Sequence, residues 1–120
     1  MNHDILVVDD NEMIRYLLER SLRAAGHRVR VAANGVEALA LCETMHFDVL
    51  LTDLNMPLMN GDALIARARA LQPGLRCILL SADEVPPQPL GDGVTCLTKP
   101  LSRKELAALV ARAGGDTSLP

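Results

Sequence analysis

Short apolar runs that stop abruptly at a charged or hydroxyl residue constrain this chain most. Ile5-Leu6-Val7-Val8 stops at Asp9-Asp10, residues 47–52 stop at Asp53, and residues 77–80 stop at Ser81. A later run, residues 94–97, gives way to Thr98-Lys99-Pro100. Aliphatic runs of this length, with little alternation, read as strands covered on both faces, the pattern of a parallel sheet.

The intervening segments carry helical spacing. In residues 11–25 the positions Ile14, Leu17, Leu18, Ser21 and Leu22 form one stripe, with Gly26 as a stop. Asp10, at a strand end, is a candidate cap for that helix. Residues 28–32 alternate charged and apolar side chains, as a strand nearer the sheet edge does. Asn34-Gly35 marks a turn, and residues 36–45 resume a helix. Residues 55–60 are turn formers, Gly61-Asp62 opens a helix through Leu64, Ile65, Ala68 and Leu71, and Pro73-Gly74 ends it. Ser102 and Glu105 form a capping box for a last helix, and Gly114 begins a small, polar tail. The expected fold is α/β: a doubly wound five-stranded parallel sheet with right-handed crossovers. Residues 1–113 are expected to form the domain and 114–120 a flexible tail or linker.

Composition excludes several classes. A length of 120 residues suits one domain, and 49% apolar content supports a core. Tyr16 and Phe47 are the only large aromatics and net charge is −3, which argues against a nucleic-acid binder. Cys42, Cys77 and Cys96 are an odd, scattered set in apolar surroundings, read as buried thiols. No apolar run approaches membrane-spanning length and no signal peptide is visible, so a cytoplasmic setting without membrane contact is expected.

In open parallel sheets, ligands bind beyond the carboxyl ends of the strands. That rule gathers Asp9, Asp10, Asp53, Ser81 and Lys99 at one edge. Three converging carboxylates need a counterion, and a hard cation such as Mg²⁺ suits oxygen ligands. With an ammonium and a hydroxyl beside them, they make a pocket for a phosphoryl group with a carboxylate nucleophile. Singly, each has a plainer reading: an Asp as a helix cap, Ser81 as a turn residue, Lys99 as a solvated charge. Their recurrence at successive strand ends favours the chemical reading.

Five stretches now resemble the receiver domains of bacterial response regulators, the CheY-like family. They are residues 5–10 ending in Asp9-Asp10, 48–53 ending in Asp53, 56–61 from Met56-Pro57 to Gly61, 78–82 around Ser81, and 97–100 around Lys99. The resemblance implies a flavodoxin/CheY-like (βα)5 fold, with Asp53 as phosphoacceptor and Asp9 and Asp10 as the acid pair holding Mg²⁺. It implies that the Asn55 carbonyl completes the metal site, that Ser81 contacts the phosphoryl group, and that Lys99 pairs with it. The phosphoryl group would come from a phosphohistidine of a sensor histidine kinase or a histidine phosphotransfer protein. The acyl phosphate would be hydrolysed slowly, with the side chains of Asn55 and Asp83 flanking the water and tuning its lifetime. Such a chain is a signalling receiver, free-standing or part of a hybrid kinase, and not an enzyme acting on a separate substrate.

Two departures stand out. Residues 84–93 hold Pro86, Pro87 and Pro89 followed by Gly91 and Gly93, so the fourth helix is expected to be missing or reduced to a turn. Cys96 occupies the position where such receivers often carry an aromatic switch residue. Both fall on the face commonly used for output. Two other functions compete: a pseudo-receiver acting as a constitutive interaction module, and an aspartate-nucleophile phosphatase. The latter resembles its own family less well, because Asn55 stands where it has a second acid.

Overall fold

The structure is a computed structural model that describes residues 3–81 and the backbone of the segment 94–98. Its elements are β1 (Asp4–Val8), α1 (Glu12–Ala24), β2 (Arg28–Ala32), α2 (Gly35–Thr44), β3 (Val49–Asp53), α3 (Gly61–Leu71), β4 (Arg76–Ser81) and β5 (Val94–Thr98). All strands pair in parallel, in the order β2-β1-β3-β4-β5. The α/β class and parallel sheet expected from the sequence are therefore present, with β2 at an edge. The fourth helix, the last helix and the tail lie outside the described residues.

The sheet is apolar on both faces because its strands alternate between two cores. Ile5, Val7, Val49, Leu51, Ile78 and Leu80 join Leu18 and Leu22 of α1 on one face. Leu6, Val8, Leu50, Cys77 and Leu79 join Ala38 and Cys42 of α2 and Leu64, Ile65 and Ala68 of α3 on the other. Each fully buried Leu or Ile contributes about 1.5–3 kcal/mol. Cys42 and Cys77 are buried free thiols, and burial pushes Cys77 up to about 11. A thiol held there stays protonated at neutral pH and packs as a small hydrophobe.

Several boundaries differ from the sequence reading, for local reasons. Phe47 precedes β3 because its N–H donates to the Gln72 side chain at 2.9 Å, although its ring is fully buried. Asp4 and Arg76, both charged, begin strands because neighbouring backbones pair with them: Asp48 N–H donates to the Asp4 carbonyl and Arg76 N–H to the Asp48 carbonyl. Of the expected α1 stripe, Leu18 and Leu22 are buried, whereas Leu17 is 53% exposed. The cap of α1 is Asn11, whose side chain accepts from Met13 and Ile14 N–H, and not Asp10. Asn34 caps α2 in the same way, so Gly35 is already helical. Gly26 does end α1, at φ 96°, a left-handed conformation open to glycine.

Candidate functional site

Strand order reverses at β1, since β2 lies on one side of it and β3 on the other. Helices leaving to opposite faces open a crevice there, beyond the strand ends. Asp9 follows β1 directly and Asp53 ends β3, so the crevice receives both carboxylates together with Asp10. Ligand oxygens of Asp9, Asp10 and Asp53 all lie within 4.8 Å of one another, with Asp9 and Asp53 buried and Asp10 exposed. Carboxylates this close repel by several kcal/mol at an effective dielectric near 20. A cation in their midst relieves that repulsion. An all-oxygen, partly open set suits a hard ion that keeps some of its waters, and Mg²⁺ fits it better than a thiophilic metal.

Local structure fixes these acids. Asn11 N–H donates to Asp9 Oδ1 at 2.9 Å, and Arg15 Nη1 donates to the Asp9 carbonyl at 2.8 Å. The first contact sets the side chain and the second ties the β1–α1 turn to the helix that follows. Below Asp53, Leu54 N–H donates to the Leu80 carbonyl at 2.7 Å, and Gly61 N–H donates to the Leu54 carbonyl at 2.8 Å. The loop of residues 54–60 thus closes back under Asp53. A Cβ on Gly61 would collide with the Asp53 carbonyl and come within 2.8 Å of Leu79 Cδ1. Glycine is required here for space, since α3 starts against the backbone that carries Asp53.

Of the residues singled out from the sequence, the structure brings Asp9, Asp10 and Asp53 together. Asn55 lies in the same loop, exposed, two positions beyond Asp53. Ser81 ends β4, and Cys96 lies opposite Leu79 in β5; only their backbones are described. Lys99 and Asp83 lie outside the described residues. Sequence reasoning missed Asn11, Arg15 and the spatial role of Gly61. Asn11 was legible as a cap residue directly before an acidic first turn, whereas Arg15 announces itself only through the fold.

Comparison with known proteins agrees with this geometry. The family model "Response regulator receiver domain" matches residues 5–111. A response regulator receiver protein of Anaeromyxobacter sp. (strain Fw109-5) is 44% identical over 77 residues, covering 64% of this chain and 32% of that protein. The receiver domain of the hybrid histidine kinase CckA superposes with a TM-score of 0.79 at 34% identity, covering 92% of this chain and 97% of that one. The chemotaxis response regulator CheY4 of Vibrio cholerae gives a TM-score of 0.83 at 29% identity over 94% of this chain and 99% of that one. The chain belongs to the response regulator receiver domain family and carries the acidic site typical of phospho-accepting members. It spans 32% or less of the length of the curated relatives it matches. Among the described residues, no helix is long and apolar enough to cross a membrane.

Proposed function

We propose that this chain is a phospho-accepting receiver in which Asp53 takes a phosphoryl group from a phosphohistidine of a sensor histidine kinase or phosphotransfer protein. The supporting observation is the convergence of Asp9, Asp10 and Asp53 within 4.8 Å at the strand-order switch. In the step, an Asp53 carboxylate oxygen forms a bond to phosphorus while the phosphorus–nitrogen bond breaks. The imidazole leaves with the electron pair and takes up a proton, and Asp53 becomes an acyl phosphate. Mg²⁺, held by Asp9, Asp10, Asp53 and the Asn55 carbonyl, would neutralise phosphoryl charge in this site. Asp9, fixed by the Asn11 N–H, would present its carboxylate to that ion.

Ser81 is assigned to a phosphoryl oxygen, Lys99 to the charge of the phosphoryl group, and Asn55 and Asp83 to phosphoryl lifetime. Residues 1–113 form the receiver in this reading, and phosphorylation alters the binding of a protein partner in the cytoplasm. The test is Mg²⁺-dependent labelling by a small acyl phosphate donor. One phosphoryl group per chain is expected, lost in Asp53→Ala and on chelation. Labelling that persists in Asp53→Ala overturns the assignment, and an unlabelled wild type leaves a pseudo-receiver interaction module.

A further inference from the structure

The opposite end of the sheet holds a second cluster that the phosphoryl chemistry does not use. All three histidines of the chain, His3, His27 and His46, lie just before β1, β2 and β3, three adjacent strands. The first backbone donors of β1 are bound by titratable side chains from both sides. His3 N–H donates to His27 Nδ1 at 3.3 Å, and Asp4 N–H donates to Asp48 Oδ2 at 2.9 Å. The His3 ring links the two clamps: its centroid lies 5.7 Å from that of His27, and its Nδ1 is 3.8 Å from Asp48 Oδ2.

The hydrogen bond defines the protonation state of His27. A backbone N–H donates only to a bare ring nitrogen, so Nδ1 carries no proton and the neutral ring bears its hydrogen on Nε2. Protonating Nδ1 replaces that acceptor with a donor facing another donor. His27 is buried, at 7% exposure, so the ring cannot turn to water without the strand end moving. The neighbouring His3 ring is itself confined, with its Nε2 buried and without a hydrogen-bond partner.

Charged groups from three neighbouring elements surround His27. Arg23 of α1, Arg28 and Arg30 of β2, and Asp4 of β1 line the same cleft. Asp4 is engaged by Arg28, at 2.6 and 3.0 Å, and Arg23 pairs with Glu19 at 3.2 Å. Asp48 faces His3 and His46, the latter at 4.0 Å, from the β3 side. Burial first, then the charge of His3, hold the His27 ring below its ordinary value.

We propose that His27 is a proton-sensitive latch that fastens the base of β1 to β2 when neutral and releases it when protonated. Release breaks the His3 N–H bond and loosens the neighbouring Arg28 N–H to His3 carbonyl bond, 2.9 Å long. The strand interior stays packed, since Ile5 to Val8 are buried within both cores. The latch is therefore a local opening at the end of the sheet remote from Asp53.

Amide hydrogen exchange on the full chain between pH 8 and pH 5 tests this, after correction for the intrinsic pH dependence. Protection of the Arg28 amide should fall by up to about tenfold per pH unit below about 6.5 as the opening takes up one proton. Leu6 and Leu50 should keep their protection. In His27→Gln, whose amide oxygen can accept the same bond without titrating, Arg28 protection should be flat. A flat wild type overturns the proposal, as does an equal loss in His27→Gln, which would assign the effect to a group other than His27. Nitrogen shifts of the wild-type His27 ring at pH 8 supply an independent reading: the Nε2–H form is expected, and the Nδ1–H form overturns the latch even where the variant does not fold.

Discussion

The left-handed backbone of Leu58 works against stability at a single position. Its φ is 73°, the one positive value at a non-glycine residue among those described, and its side chain is 77% exposed. A left-handed L-residue costs about 1–2 kcal/mol, and a side chain this exposed recovers little of that by burial. The loop is held by its neighbours: Met59 N–H donates to the Pro57 carbonyl at 2.8 Å, and Gly61 is fastened to Leu54. Leu58→Gly should raise stability by up to about 1 kcal/mol, because glycine reaches the positive φ of this γ-turn without Cβ strain. Urea unfolding should show a higher midpoint at unchanged slope; an unchanged or lower midpoint would show that Leu58 makes a compensating contact.

Elements were legible where burial is two-sided. The runs at residues 5–8 and 77–80 are covered on both faces, so their apolar character is unbroken and their strands were visible. Their polar starts were not, since Asp4 and Arg76 enter the ladder through backbone partners supplied by residue 48. The end of α2 was read to within one residue, but the contact that closes it was silent: Gln72 reaches from beyond α3 to the carbonyls of Cys42 and Met45, at 3.0 and 2.8 Å. Nothing local to residues 42–47 encodes that contact. The start of α1 makes a testable contrast, because one residue does two jobs through different atoms. The Asn11 side chain caps the helix at 2.9 and 3.1 Å, while its backbone N–H holds Asp9. Asn11→Ala removes only the cap, costing about 1 kcal/mol. Thermal unfolding should occur earlier while Mg²⁺-dependent labelling of Asp53 persists; loss of labelling in a folded variant would show that the side chain itself serves the site.

At the scale of the molecule, the acidic site is a tie between strands. Asp9 and Asp10 follow β1 and Asp53 ends β3, so their mutual repulsion pushes directly on the β1–β3 pairing. This placement was legible because strand ends converge in a parallel sheet whatever their distance in sequence. The parts assigned to Ser81, Lys99 and the Asn55 carbonyl depend on side-chain or backbone direction, which periodicity does not encode. On the proposed reading, stability should depend on the cation. An ion that binds the folded chain alone stabilises it by about 2.7 kcal/mol at a hundred times its Kd. Melting temperature should therefore rise with Mg²⁺ and level off only logarithmically above Kd. Asp10 is the exposed member of the set, so Asp10→Asn removes one charge without leaving a buried group unpaired. In chelator the variant should melt above the wild type, since repulsion falls, and adding Mg²⁺ should shift it far less. A variant that melts lower in chelator, or gains as much from Mg²⁺ as the wild type, would show that Asp10 neither strains the site nor holds the ion.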